Sequence, residues 1–305
     1  MFSRRAARFA SAALLLGLIA GPGRSAEPVA QVPSGIVREE QPKDPGLVKI
    51  VLVAGSSVYK PGEHDYLAGC AVLMDLLRQT PGVFPVLAVD WPAKPETFAG
   101  ARAVVLFCDG GDKHPFLEQD HLVQIQRLAD KGAGLVALHQ VDDVPKDLGD
   151  FARALLGAAW EQGFSQRAHW VAKFATFPDH PITRGVRPFT IDDGWLFRLR
   201  FVPDLAGVTP LLRTVSPKAP AASDSGPGSA SIVSWAYDRP GDGRSFVFTG
   251  GHLHRSLAEE GYRRFLVNGI LWSAHVEVPD SGAPVALAPA TLKPTPDPQL
   301  SRKDP

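Results

Sequence analysis

Cysteine is nearly absent from this chain: Cys70 and Cys108 are the two in 305 residues. Two thiols cannot build a disulfide framework or a structural zinc cluster. The fold must therefore rest on its apolar core, with free buried thiols expected and a single bridge the alternative that export would permit. An excess of charge of either sign is missing too. Lysine plus arginine and aspartate plus glutamate each number 32, so the chain lacks the field that draws a polyanion or an anionic membrane, and no nucleic-acid partner is expected. Nucleotide fingerprints are absent as well. AGSSVYKPGEH, Ala54 to His64, has neither G-x-G-x-x-G nor the P-loop lysine pattern, so no nucleotide cofactor is expected. The strand-turn stretch LVALHQVDD, Leu135 to Asp143, holds His139 where an elbow nucleophile would stand, without G-x-S-x-G or a glycine-flanked cysteine. That argues against covalent acyl transfer.

The longest apolar run lies at the start. MFSRRAARFASAALLLGLIAGPGRSA has basic residues, an apolar stretch from Phe9 to Ala20, then small residues at Ser25 and Ala26. The run is shorter than the roughly 20 residues a spanning helix needs. Residues 1–26 are expected to be a secretory signal cleaved near Ala26 or Glu27, giving a periplasmic or extracellular protein with no stable membrane anchor.

The remainder, 45% hydrophobic over the whole chain, can bury one large core, and no internal period suggests a repeat array. Residues 27–46 are rich in proline and charge and read as a linker. LVKIVLVAG, VFPVLAVD, ARAVVLFCDGG, GLVALH and SFVFTGG are short apolar runs ending in turn residues. Those of β-branched character have the look of strands buried on both faces. Between them DYLAGCAVLMDLLRQ and LEQDHLVQIQRLADKG have helical spacing, and GYRRFLVNGILWSAH is a final amphipathic helix. This alternation predicts an α/β fold, a doubly wound and mostly parallel sheet of flavodoxin-like type, over residues 47–279. Trp160 to Asp238, with scattered aromatics and many turn residues, is expected to form antiparallel and loop-rich additions. Residues 280–305, rich in proline and alanine, read as a flexible or surface-bound tail.

Ligands of such sheets bind beyond the carboxyl ends of the strands. Those ends carry Asp109 and Gly110, His139, and Gly251, His252 and His254, while Glu63 and His64 fall at the start of the first helix. His114, His121 and His180 read as ordinary surface or loop residues. Two chemistries suit the rim histidines, proton transfer and chelation of a divalent metal by neutral imidazoles. The His-x-His spacing puts the rings of His252 and His254 on one side of an extended strand. His64, His139, His252 and His254 are therefore expected to line one cleft.

KPGEHDYLAGC (Lys60 to Cys70), FCDGGDKHP, GLVALH, DHPITRGVRPF, FVFTGGHLH and YRRFLVNGILWSAHVEVP occur in an order that resembles ThuA-like proteins, named from trehalose utilisation. The resemblance runs from Leu47 to Pro279. It implies a class I glutamine amidotransferase-like fold without the amidotransferase nucleophile, and work on a small carbohydrate, an oxidised keto sugar or a glycoside. Glu63 and His64 match the family's P-G-E-H segment, with Tyr66 where a second histidine is frequent. His139 matches the histidine closing the fourth strand, and His252 and His254 match G-G-H-x-H. His169 with Trp170 resembles P-H-W, although Ala168 replaces the proline. Where the family tends to read D-E-W-Y, this chain has Asp193, Gly194, Trp195, then Leu196 and Phe197. The resemblance thus implies His139, His252 and His254 as catalytic groups, with Asp193 substituting for the missing carboxylate. It implies substrate contacts from Glu63, His64, Asp109, Gly110, His169, Arg198 and Gly251, with Trp195 as a stacking face for the sugar. Gly194 and Phe197 favour the alternative, a carbohydrate-binding or scaffold protein that has lost its chemistry. The sequence is compatible with a monomer or an oligomer.

Overall fold

In the computed structural model, residues 36–56, 59–217 and 230–293 are described; the expected signal segment, and the outer parts of the expected linker and tail, lie outside them. β1 (Val48–Ala54), α1 (Tyr66–Leu77), β2 (Val83–Val89), the single turn α2 (Pro95–Phe98), β3 (Ala103–Phe107), α3 (His121–Asp130) and β4 (Gly134–Leu138) follow in strict alternation. α4 (Gly149–Leu156) leads into short β5 (Ala158–Ala159), β6 (Gln166–Phe174), β7 (Phe189–Phe197) and β8 (Arg200–Phe201). β9 (Val208–Thr214), β10 (Ser231–Asp238), β11 (Arg244–Phe248) and α5 (Glu260–Ser273) complete the elements.

Seven strands form the central sheet in the order β2-β1-β3-β4-β11-β10-β9. The first five run parallel, while β10 pairs antiparallel with both β11 and β9. Pleat alternation divides the core. Ile50, Leu52 and Ala54 face one layer with α1 and α5, and Val51 and Val53 face the other with Ile125 of α3 and Leu155 of α4. Each fully buried Val, Leu or Ile contributes about 1.5–3 kcal/mol from leaving water, so these near-continuous apolar strands require cover on both faces. The antiparallel region appears as expected, with β6 paired to β7 outside the main sheet. No helix among the described residues is long and apolar enough to cross a membrane.

Both flanks are more firmly held than the composition suggests. Within the expected linker, Glu39 lies buried against the β2 edge, its backbone N–H donating to the Leu87 carbonyl. Its carboxylate accepts hydrogen bonds from the N–H groups of Ala93 and Lys94 and from the Thr97 hydroxyl. Within the expected tail, Ala283 and Val285 are buried, and the Ala283 N–H donates to Asn268 Oδ1 at 2.9 Å. Composition alone gave no sign of the anchoring at Glu39, because a single well-bonded residue suffices to dock a segment that has no period.

Asp142, just beyond β4, is fully buried, and neither carboxylate oxygen has a hydrogen-bond partner from another described residue. Burial, with the neighbouring Asp143 carboxylate, raises its pKa well above the ordinary value. The folded state therefore holds this proton longer than the unfolded chain does. Its stability is fully present below about pH 4, the unfolded value, and is lost as pH rises through the raised folded value. Asp142→Asn mimics the protonated acid. Melting curves across pH should show the variant above the natural chain on the alkaline side, with the gap closing towards acid; a gap independent of pH would mean that Asp142 titrates normally.

Candidate functional site

The chain leaves β1 for β2 on one side and then crosses to β3 on the other, so the loops after β1 and β3 diverge and open a crevice above the sheet. His64 enters it from the loop after β1. That loop is zipped to the one after β11: Glu63 bridges Leu253, the His64 N–H donates to the His252 carbonyl at 2.9 Å, and the His254 N–H donates to the Gly62 carbonyl at 2.9 Å. Gly251, at φ +102°, turns the chain into this pairing with a backbone that L side chains rarely adopt. The imidazoles of His64 and His252 meet edge to face, 4.3 Å between centroids. His139 closes the group from the end of β4, 4.8 Å from His64 and 5.6 Å from His252. One ring nitrogen from each of the three lies within 4.8 Å of the others.

Two of these residues adopt left-handed backbone, His64 at φ 50° and His139 at φ 61°. Strain of that kind costs of order 1–3 kcal/mol and clusters at working sites. All three are largely withdrawn from water, at 7%, 3% and 9% exposure for His64, His139 and His252. Burial pushes the His139 pKa well down, with His64 adding to it. Burial, followed by His64 and His169, pushes His252 down to about 3. Both are neutral imidazoles at physiological pH, with lone pairs available as bases or ligands.

A carboxylate supports the group from one side. Asp109, at the end of β3, accepts from the Tyr66 hydroxyl at 2.6 Å and the Tyr59 hydroxyl at 3.0 Å. Tyr66 has donated its proton there, so its oxygen accepts from His64 Nδ1 at 2.7 Å. Tyr59 stacks on the His64 ring at 4.2 Å and remains 39% exposed. Burial and the Asp109 charge push its pKa up to about 12, so it stays a neutral phenol. On the other side His139 Nδ1 lies 3.2 Å from the Thr249 carbonyl. That oxygen can only accept, so Nδ1 carries the hydrogen.

The segment from Thr190 to Phe201 differs from expectation in orientation. In β7 the core-facing residues are Phe189, Ile191, Asp193, Trp195 and Phe197, all buried, so Asp193 points beneath the loop after β11 and away from the histidines. Its carboxylate accepts from the N–H groups of Gly194, Gly251 and Leu253 and from the Ser256 hydroxyl, at 2.8, 3.1, 3.1 and 3.2 Å. Burial raises its pKa to about 6 against the lowering effect of those bonds. Asp193 thus clamps the loop after β11, with both of its oxygens engaged. Gly194 faces the cluster. It is paired across the ladder with His169, and a Cβ there would stand 3.0 Å from His252 Cβ and 3.1 Å from His169 Nε2. The glycine lets the exposed His169 close on His252, their centroids 4.5 Å apart.

Other expected site residues fall elsewhere. Trp195 is 1% exposed, packed among Trp170, Phe174 and Phe248, and cannot stack on a sugar. Phe197 is buried against Trp170, so its lack of a phenol is a core feature. Arg198 places its guanidinium over Phe164. Gly110 serves through its backbone, its N–H 3.4 Å from Gln140 Oε1, and Glu63 through its bridge to Leu253. His254 does not join the other histidines. The chain turns into a 3-10 helix at that residue, and the ring enters a separate small pocket lined by Asp65, Leu73 and Tyr262, near the Asp65 charge, with neither nitrogen hydrogen-bonded to a described residue. His114, expected at the surface, is buried with Nε2 on the Val141 carbonyl. The two cysteines are free and buried, burial pushing both thiols up and away from reactivity. Sequence reasoning missed Tyr59 and the supporting role of Tyr66; a tyrosine at each end of K-P-G-E-H-D was the available signal.

Residues 51–273 match the ThuA family, described as trehalose utilisation. Among solved structures, the chain is similar to a putative ThuA-like protein from Parabacteroides merdae, 15% identical, with TM-score 0.57 over 81% of this chain and 99% of that one. It is also similar to one from Bacteroides uniformis, 13% identical, with TM-score 0.53 over 77% and 94%. At these identities the likeness establishes the shared fold. No curated protein matches.

Proposed function

The chain belongs to the ThuA family, trehalose utilisation, and from that premise we propose that it acts on an oxidised carbohydrate, a keto sugar or keto glycoside, in the histidine crevice. The observation that carries this reading is the convergence of His64, His139 and His252, backed by the Tyr59–Asp109–Tyr66 group, at the carboxyl edge of the sheet. A ketone acidifies the adjacent C–H bond, and a neutral imidazole is the base suited to removing that proton at pH 7. The exposed His169, 4.5 Å from the His252 ring, stands beside the group and is assigned this proton traffic. Tyr59 replaces Trp195 as the aromatic surface for the sugar, since its ring is partly exposed and rests on His64. The N-terminal layout extends the proposal to work outside the cytoplasm.

The test is a panel of glycosides and their keto derivatives, read by thermal shift and by NMR of the sugar. A ligand that binds only the folded chain raises its melting temperature. Keto derivatives should do so and be consumed, and their parents should not be consumed. A shift without consumption would assign a binding protein instead, in keeping with Gly194, which offers no carboxylate to the crevice. No shift and no consumption across the panel would end the carbohydrate reading.

A further inference from the structure

We propose that His64, His139 and His252 form a three-histidine site for a divalent transition metal, with a fourth position open to substrate. The geometry is close to that of a bound ion. Three nitrogens within 4.8 Å of one another leave a common point at most about 2.8 Å from each, against ~2.0–2.1 Å for zinc to imidazole nitrogen. Side-chain movement of under about 1 Å closes the difference, on the scale of rotamer adjustment within packed sites.

The hydrogen bonds around the rings decide which nitrogens are free. His139 donates from Nδ1 to the Thr249 carbonyl, so its lone pair is on Nε2, and that atom is buried without a partner among the described residues. His64 donates from Nδ1 to Tyr66, whose own proton goes to Asp109, which frees its Nε2 in the same way. Such supports, one a carbonyl and one a phenol relayed to a carboxylate, fix tautomer and ring orientation as those behind metal-bound histidines do. A buried acceptor with no donor costs about 1–3 kcal/mol, and a cation removes that penalty. Neutral imidazoles select zinc, copper, nickel or iron over magnesium or calcium, which prefer oxygen.

The exposed neighbours of the three rings are Tyr59, stacked on His64, and His169, edge-on to His252. Three protein ligands with an open position are the arrangement of catalytic rather than structural zinc. In substrate terms this fits a carbonyl or hydroxy-ketone oxygen. That last point rests on the carbohydrate reading above, whereas metal binding rests on the geometry alone.

The full chain, stripped with chelator and dialysed against Zn²⁺, should retain one equivalent by elemental analysis, and Co²⁺ should give the visible absorption of a four- or five-coordinate ion. His139→Asn and His252→Ala should lose the bound metal and the absorption, with circular dichroism confirming that each is folded. Tyr66→Phe should weaken affinity about 10–100-fold. His275→Gln, which removes an exposed histidine elsewhere, should bind normally. Failure to retain metal, or retention unchanged in the His139 and His252 variants, overturns the site. Metal bound without any carbohydrate consumed keeps the site and removes the function proposed above. Carbohydrate consumed equally before and after chelation keeps that function and overturns the metal's part in it.

Discussion

Replacing Asp193 with alanine should cost the fold about 3–5 kcal/mol, the scale for leaving buried charge-bonded partners without their acceptor. Three backbone N–H groups and one hydroxyl converge on this carboxylate, and all four bonds are buried. Urea unfolding with an unchanged denaturant slope would give the difference directly. Asp193→Asn should fall between the two, because its amide presents a donor where donors already point. His252 sits between two of the clamped residues, Gly251 and Leu253, so activity should fall along with stability. If Asp193 were instead a proton-transfer group, Asp193→Asn would keep full stability and lose only rate.

His139→Asn should separate rate from stability in the opposite direction. By the metal reading above His139 holds the ion that meets the substrate oxygen, so its loss should cost turnover on the scale of a lost acid-base group, about 10²- to 10⁴-fold, with any keto sugar the natural chain consumes. Stability in chelated buffer should hold or rise. Asparagine is among the side chains that visit the left-handed backbone found at this position, and the buried Nε2 without a hydrogen bond is removed. The measurements are sugar turnover and thermal melting on the same preparations. A variant that melts lower and still turns over would show that His139 is a packing residue and that the strained turn after β4 serves the core.

Much of this architecture was legible because it depends on short-range periodicity. Five of the apolar runs became the five parallel strands, and their ends marked the rim on which His139 and His252 stand. What the runs lacked was any signal for their lateral order, or for the way β10, reversed, and β9 continue this same sheet. The docking of Glu39 was hidden for the same reason, since it depends on partners far along the chain.

At the site the division is sharper. Sequence determined that His64, His139 and His252 lie at the carboxyl edge of a parallel sheet, because strand ends and helix starts follow from the apolar pattern and the handedness of the crossovers. Only the tertiary structure decided which way neighbouring side chains turn. Asp193 is in phase with the core face of β7 and Gly194 with the cluster, a one-residue alternation whose sense depends on how β6 and β7 pack. His254 was separated from His252 by the helical turn that begins there. Asp109, 43 residues from Tyr66 and 50 from Tyr59, meets them because the β1 and β3 loops open over one crevice, and the paths of loops carry no period that a linear pattern can reveal.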